Sequence, residues 1–433
     1  MKIKTEKMSF SEVMALPRAP HRRPARPSLF FRTLMRTVAI PDLAATHFRL
    51  EKLDMKDAEG EACLVLMNHS CFMDLGIASR VMYPKPYCIV CTSDGFVGKE
   101  WLMRRLGCIP TQKFVTDFTL LSDMQYALKE LKTSVLMYPE ASYSLDGTAT
   151  PPPAMGAVLK KLNVPVVMIR THGAFLRDPL YNNLQKRRVD VRASVKCLFS
   201  REELGAMTPN ELDERLKREF TFDNFREQAE ENIRINEDFR ADGLERILYK
   251  CPHCLAEGET YGKGTGFECR ACGKKYEMTP EGSMRALDGE TEYPHIPDWY
   301  AWERGCVKDE ISSGGYHMES DVDIGVLVDY NALYMVGEGR LVHDLNGFRL
   351  TGCGGELDYA QKPSASYGLY ADYFWYEIGD VICIGNRDAL YYCFPKEKRP
   401  VAKARIASEE LFRAARGKRL PTAPAGEEGA GKM

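Results

Sequence analysis

Residues 64–74 read Leu-Val-Leu-Met-Asn-His-Ser-Cys-Phe-Met-Asp. Four consecutive apolar residues with no polar alternation suit a strand covered on both faces. Asn68, His69 and Ser70 break that run into a turn, and Leu75 to Val81 carries a helix-like pattern. His69 and Asp74 stand five residues apart, which inside one helix would rotate their side chains about 140° from each other. They can meet only if His69 lies in the turn and Asp74 in the first helical turn. A carboxylate accepting from one ring nitrogen of His69 would fix its tautomer and leave the other nitrogen free as a general base. Taken alone, the pair reads first as a turn histidine followed by a helix cap, because turns are rich in such residues, so its meaning depends on the neighbouring chain.

Strand-like runs follow at intervals: Cys63 to Met67, Tyr87 to Thr92, Cys108 to Thr111, Ser134 to Tyr138, Val164 to Ile169 and Val191 to Phe199. Helical patterns alternate with them, one from Asp117 to Lys132 and another from Ala154 to Leu162 after the triplet Pro151–Pro153. This is the rhythm of an α/β domain, assigned to residues 28–202. Such folds place their chemistry in turns at strand ends. Before it, residues 1–27 are rich in Pro and Arg and predict a flexible basic arm. The segment Leu29 to Ile40 predicts a short helix ended by Pro41, either lying on a membrane or packed on the core.

Four blocks recur in order after the opening strand. They are Asn68-His69 with Asp74; Gly107 to Lys113; Tyr138-Pro139-Glu140-Ala141-Ser142; and Val164-Pro165-Val166-Val167. This order resembles the lysophosphatidate (1-acylglycerol-3-phosphate) acyltransferase family, PlsC-like, whose blocks are N-H-x4-D, G-x-x-F-I-D-R, F-P-E-G-T-R-S and V-P-V-V-P-V. The first and fourth blocks match. In the second, Gly107 is kept, Pro110 replaces Phe and Lys113 replaces Arg. In the third, Pro139, Glu140 and Ser144 agree, while Ala141 replaces Gly, Ser142 replaces Thr and Tyr143 replaces Arg.

The resemblance covers residues 30–200 and implies a mixed sheet flanked by helices. It implies transfer of a fatty acyl group from acyl-CoA or acyl carrier protein to the hydroxyl of a lysophospholipid, foremost 1-acylglycerol-3-phosphate, in phospholipid biosynthesis. His69 would be the base and Asp74 its orienter. Asn68, Lys99, Lys113, Glu140, Ala141 and Ser142 would serve substrate binding, with N–H groups near Ala141 and the Lys99 side chain as oxyanion donors. The two family arginines implicated in holding the acceptor's phosphate are here Lys113 and Tyr143. Lysine keeps the charge without the bidentate fork, and tyrosine loses both. Lys99, Lys113, Arg170 and Arg177 are the cations left to rebuild an anion site. Two rival readings follow: another hydroxyl acceptor such as a different lysolipid or a glycolipid, or a non-catalytic lipid-binding adaptor.

A second signal is Cys251-Pro252-His253-Cys254 followed by Cys269-Arg270-Ala271-Cys272, a C-x2-C-x14-C-x2-C pattern. Two such pairs can close a tetrahedral thiolate shell, so residues 248–282 predict a zinc ribbon with structural Zn2+ on Cys251, Cys254, Cys269 and Cys272. Cys88 and Cys91 have no matching second pair and read as strand positions on opposite faces. Cys71 and Ser70 read as packing rather than nucleophiles.

The remaining ten of the fourteen cysteines are scattered, which suits a reducing cytosol. A net charge of −2 over 433 residues argues against nucleic acid as a partner, although residues 1–36 carry nine Lys or Arg against two Glu. No run reaches the roughly 18 to 20 apolar residues of a membrane span, and no signal peptide is visible. Peripheral attachment to the cytoplasmic face of a membrane is the expectation.

Residues 203–247 predict a charged helical bridge with Thr208-Pro209 as a start signal. Residues 283–417 predict a β-rich, barrel-like domain closed by a helix from Val401 to Arg416, and residues 418–433 a disordered tail. The aromatics Trp299, Tyr300, Trp302, Tyr373, Phe374, Trp375 and Tyr376 are expected in its core. A protein partner would dock on the ribbon or the barrel.

Overall fold

The computed structural model describes residues 2–115, 118–149, 154–397 and 401–417. Asp117, the proline triplet at 151–153 and the tail from residue 418 lie outside them.

The apolar run becomes a strand with all four side chains buried, as a parallel strand flanked by helices must be. It is β3 (Leu64–Met67) in a seven-stranded sheet with β2 (Arg49–Lys52), β4 (Tyr87–Thr92), β5 (Cys108–Thr111), β6 (Ser134–Met137), β8 (Val166–His172) and β9 (Arg192–Phe199). The order is β2-β9-β8-β3-β6-β4-β5, and every neighbouring pair is parallel except β8 with β9. Leu64 and Leu66 face one core with Met124 and Leu128 of α5 (Phe118–Lys129) and Leu159 of α6 (Gly156–Leu162). Val65 and Met67 face the other, with Ile77 and Ala78 of α3 (Met73–Met82). The period-two alternation of a strand thus serves two cores at once.

α2 (Leu29–Ala45) runs through Pro41 instead of stopping there. Pro41 is on the exposed side, where the carbonyl it leaves unpaired can turn to water. The inner side, Met35, Ala39 and Leu43, packs on α3, and Gly76 permits that approach, since a Cβ there would stand 3.1 Å from Ala39 Cβ.

The expected bridge divides differently. α8 (Arg201–Ala206) and α9 (Pro209–Phe220) belong to the first layer, because Leu204, Leu212, Leu216 and Phe220 fill the same core as β3. Thr208 caps α9 and Pro209 opens it, as read from the sequence. A short β7 (Thr148–Ala149) pairs with β10 (Phe222–Asp223) just before α10 (Asn224–Glu230).

An antiparallel four-stranded sheet follows: β11 (Thr260–Lys263), β12 (Gly266–Cys269), β13 (Lys275–Met278) and β14 (Met284–Ala286); the first cysteine pair precedes it, and the second spans the turn from β12 to β13. The next segment, inside the region read as β-rich, opens with a helix. α11 (Ile296–Ser312) buries Ile296, Trp299, Tyr300, Glu303, Val307 and Ile311. That three- and four-residue spacing marks a helix despite its aromatic content. Phe267 and Tyr276 of the small sheet pack edge-on against Trp299.

The C-terminal sheet contains β15 (His317–Leu327), β16 (Leu333–Asp344), β17 (Gly347–Gly352), β18 (Leu357–Gln361), β19 (Tyr370–Trp375), β20 (Gly379–Gly385) and β21 (Leu390–Pro395), in the order β18-β17-β16-β15-β21-β20-β19. β18 and β21 are four steps apart, about 19 Å in a flat sheet, yet the rings of Tyr359 and Tyr391 lie 4.9 Å apart. Gly385 N–H also donates to Gln361 Oε1 at 3.0 Å. The sheet therefore curls nearly into a barrel, with its edge strands β18 and β19 unpaired to each other. α12 (Val401–Arg416) packs on β19, β20 and α11.

Of the expected flexible arm, residues 2–27 are described and are not loose. β1 (Thr5–Lys7) adds to β16 in parallel, and α1 (Phe10–Ala15) follows with a capping box from Ser9 and Glu12. The chain then crosses the first layer, where His21 Nε2 and Arg23 Nη1 reach the buried Asp123 at 3.0 and 3.3 Å. Composition rich in Pro and Arg suggested flexibility; a free strand edge and a buried carboxylate supply the order.

Candidate active site

At the end of β3 the chain wraps around Asp74. Only 1% exposed, its Oδ2 accepts from His69 Nδ1–H at 2.9 Å, Ser70 N–H at 2.7 Å and Cys71 N–H at 3.1 Å. Its Oδ1 is buried with no hydrogen-bond partner. Burial, with Lys113 adding to it, holds His69 well below the ordinary histidine range, so the ring is neutral at pH 7. Burial pushes the Asp74 carboxyl up, against the N–H groups of Ser70 and Cys71, which favour its ionised form. With Nδ1–H directed at Asp74, the lone pair of His69 is on Nε2. Asn68 is fully buried and engaged within the chain: Oδ1 accepts from Thr171 N–H at 2.8 Å, and Nδ2 donates to Thr171 Oγ1 at 2.8 Å and Ser70 Oγ at 3.1 Å. It fastens the turn to β8.

The segment after β6 folds over His69. Tyr138 stacks on one face of the imidazole, centroids 3.9 Å apart, and Tyr143 covers the other at 4.0 Å. Glu140 Oε2 accepts from His69 N–H at 3.2 Å, while Oε1 is buried and unpartnered. Burial pushes this carboxyl up to about 8. Ala141, where the family has Gly, adopts φ +59°, a left-handed conformation that costs a residue with a Cβ. Its N–H donates to Tyr138 O at 3.0 Å, so it is engaged and not a free oxyanion donor as expected. Ser142 is buried, with an unpartnered Oγ, and Ser144 N–H donates to His69 O at 3.1 Å.

One wall comes from the other end of the chain. Lys113 Nζ lies 4.1 Å over the ring of Tyr370 in β19, and Asp372 and Asp94 are its neighbouring carboxylates. Lys99, at the start of α4 (Glu100–Arg105), lies against Tyr376 at 6.0 Å. Arg405 of α12 donates to Tyr143 O at 3.4 Å. The other sequence candidates point elsewhere: Arg170 sits over Phe222, and Arg177, ending α7 (Ala174–Arg177), pairs with Asp42 and Asp178. Sequence reading missed the Tyr138 stack, Thr171 and Arg405. Only Tyr143 carried a signal, as a departure from the third block.

The model of the acyltransferase family matches residues 47–171. These residues are an acyltransferase domain. Among solved structures the chain is similar to the 1-acyl-sn-glycerophosphate (LPA) acyltransferase PlsC from Thermotoga maritima, at 15% identity over 44% of this chain and 78% of that one, with a TM-score of 0.34. No curated protein matches the chain by sequence. The acyltransferase domain holds His69, Asp74 and Glu140 together at one end of its central strands, and the C-terminal sheet and α12 cover that end.

Outside residues 47–171, the ligand atoms of Cys251, Cys254, Cys269 and Cys272 lie within 4.8 Å of one another, a set that could hold a metal ion. Sγ–Sγ contacts of 3.9 Å (Cys251–Cys272) and 3.7 Å (Cys254–Cys269) are too long for a disulfide. They are close to the edge of about 3.8 Å that a tetrahedron of Zn–S bonds near 2.3 Å requires. Each pair folds in the same tight turn, Leu255 N–H to Cys251 O and Gly273 N–H to Cys269 O, with Leu255 and Gly273 at positive φ. The residues fit a thiophilic ion. His253 pairs with Glu292 instead of joining the set.

Proposed function

We propose that the protein is an O-acyltransferase that moves a fatty acyl group from acyl-CoA or acyl carrier protein to the hydroxyl of a lysophospholipid. The reading is carried by the buried His69–Asp74 pair at the mouth of β3. His69 Nε2 takes the proton of the acceptor hydroxyl as its oxygen attacks the thioester carbonyl. Asp74 holds the ring in that tautomer and stabilises the imidazolium that forms. The C–S bond breaks as the tetrahedral intermediate collapses, the thiolate leaves, and the proton on His69 is available to it. The acceptor implied by the four motif blocks is 1-acylglycerol-3-phosphate.

Membrane contact is part of the proposal. No helix among the described residues is long and apolar enough to cross a bilayer. Phe30, Leu34 and Val38 of α2 are nevertheless exposed, as are Phe72 and Leu75 beside the site and Trp101 on α4. Phe31 meets Trp101 edge-on at 6.1 Å, and Arg105 lies over that indole. Apolar side chains with interleaved arginines suit peripheral attachment to an anionic lipid surface. A structural Zn2+ on the four cysteines completes the proposal. The direct test is acyl transfer by His69→Ala: the loss should exceed a hundredfold with unchanged thermal unfolding, and a retained wild-type rate would rule out the mechanism.

A further inference from the structure

The segment 138–144 grips His69 by its backbone as well as by its ring. His69 N–H donates to Glu140 Oε2 at 3.2 Å, and His69 O accepts from Ser144 N–H at 3.1 Å. Between these two ties the chain reverses, with Ala141 at φ +59° and its N–H on Tyr138 O. The reversal brings two aromatic rings to the same imidazole. Tyr138 lies 3.9 Å from it at an interplanar angle of 18°, and Tyr143 lies 4.0 Å from it at 33°. Two rings this close and this nearly parallel to a third cannot share one side of it, so both faces of His69 are covered.

Asp74 covers the Nδ1 edge. The side chain is nevertheless 16% exposed, and the edge left to account for that is the opposite one, which carries Nε2. An acceptor hydroxyl is thereby confined to the plane of the imidazole, the direction in which the Nε2 lone pair points. The rings also act once the proton has moved. A cation over an aromatic face within about 6 Å is attracted by the ring quadrupole, more strongly where water is excluded. The neutral imidazole gains little of this, and the imidazolium gains it from both sides, so the interaction strengthens as transfer proceeds. Of the charged groups nearby, Lys113 opposes the imidazolium and Asp74 favours it. Burial pushes both phenols well above their ordinary range, which leaves them neutral beside the base.

We propose that Tyr138 and Tyr143 are positioning residues of the acyl transfer, an aromatic clamp that aims the acceptor hydroxyl at Nε2 and stabilises the imidazolium between two ring faces. The clamp rests on the acyl-transfer reading and adds two residues to it. Position 143, where the family resemblance places a guanidinium, then contributes something different in this chain. A guanidinium pressed on that face would oppose the imidazolium, whereas a phenol ring attracts it.

The experiment substitutes position 143 in the full-length protein and follows acyl transfer from acyl-CoA to 1-acylglycerol-3-phosphate, with thermal unfolding as the control. Tyr143→Leu removes the ring and should lower kcat about threefold to thirtyfold, the spread of cation–π strengths, while KM for both substrates stays within about twofold. Tyr143→Phe keeps the ring and should recover the lost rate. Phenylalanines carrying one, two and three ring fluorines at the same position weaken the quadrupole stepwise at nearly constant shape, so kcat should fall in that order from the value of Tyr143→Phe. A ring that only packs would give one kcat throughout the series. Tyr138→Leu and Tyr138→Phe should repeat the contrast from the other face. A flat fluorine series, Tyr143→Leu as fast as Tyr143→Phe, Tyr143→Phe as slow as Tyr143→Leu, or a loss carried by KM would overturn the proposal. Failure of the underlying reading looks different: wild type and His69→Ala would then transfer acyl groups equally, or neither would transfer any.

Discussion

Asp74→Asn separates charge from geometry at the centre of the site. One oxygen of Asp74 accepts all three hydrogen bonds, from His69, Ser70 and Cys71, so an asparagine carbonyl can take its place and set its NH2 where Oδ1 now has no partner. What disappears is the negative charge opposite the imidazolium formed during transfer. With charge centres about 4 Å apart and an effective dielectric of about 20, that attraction is worth about 4 kcal/mol. At about 1.36 kcal/mol per decade the expected loss in kcat is about a thousandfold. KM should barely move, because the interaction develops only as the proton arrives. Stability should change by less than about 1 kcal/mol, since the substitution keeps the donors and replaces a carboxyl whose charged form burial already disfavours. The assay is thiol release from acyl-CoA in the presence of lysolipid, paired with thermal unfolding. A folded Asp74→Asn protein within threefold of wild type would refute the dyad as the origin of the chemistry.

The pH profile follows from two shifts of opposite sense. His69 must be neutral to accept a proton and is held below its ordinary value, so activity should fall on the acid side only well below pH 6.5. Glu140 is raised to about 8, and its protonated form is the one favoured by folding; the folded state therefore loses stability as pH rises from about 4.5 through about 8. Asp74, raised to about 8 by burial, contributes over the same range, so Glu140→Gln should shrink the alkaline loss, measured as Tm at pH 9 against pH 6, and an unchanged difference would contradict the buried placement. Elemental analysis should return about one zinc per chain, and Cys254→Ser should lower both zinc content and Tm; full metal content in that variant would exclude the four-thiolate site. Phe30→Glu with Val38→Glu should weaken sedimentation with anionic vesicles at least tenfold while leaving Tm in place, and undiminished binding would remove α2 from the membrane face.

Legibility in the sequence depended on whether a signal was local. β4 and β5 begin and end where the apolar runs do, and α12 spans the residues read for it, because strand length and helical period are written in neighbouring residues. The meeting of His69 with Asp74 was readable for the same reason. Features that depend on distant chain were not. Nothing near Pro41 says that its side of the helix faces water, and nothing near Trp299 says that aromatics spaced by three and four will bury against Phe267 and Tyr276. Arg405 looks like any arginine on an amphipathic helix until α12 is placed beside Tyr143. Ala141 was legible as a family glycine's replacement, but the engagement of its N–H by Tyr138 O follows from the turn it adopts.

The pairing of β1 with β16 bears on how the protein is made. Thr5 lies opposite Leu333, so β1 is made well before its partner, which follows more than three hundred residues behind it. Contacts of such long sequence separation form late and carry a large loop-closure cost. The acyltransferase sheet can assemble earlier from its own closely spaced strands. The segment crossing it, with His21 and Arg23 on Asp123, reaches its register with β16 only after the C-terminal sheet exists. Residues 5–23 therefore act as a stitch that ties the acyltransferase sheet, through Asp123, to the sheet that covers His69.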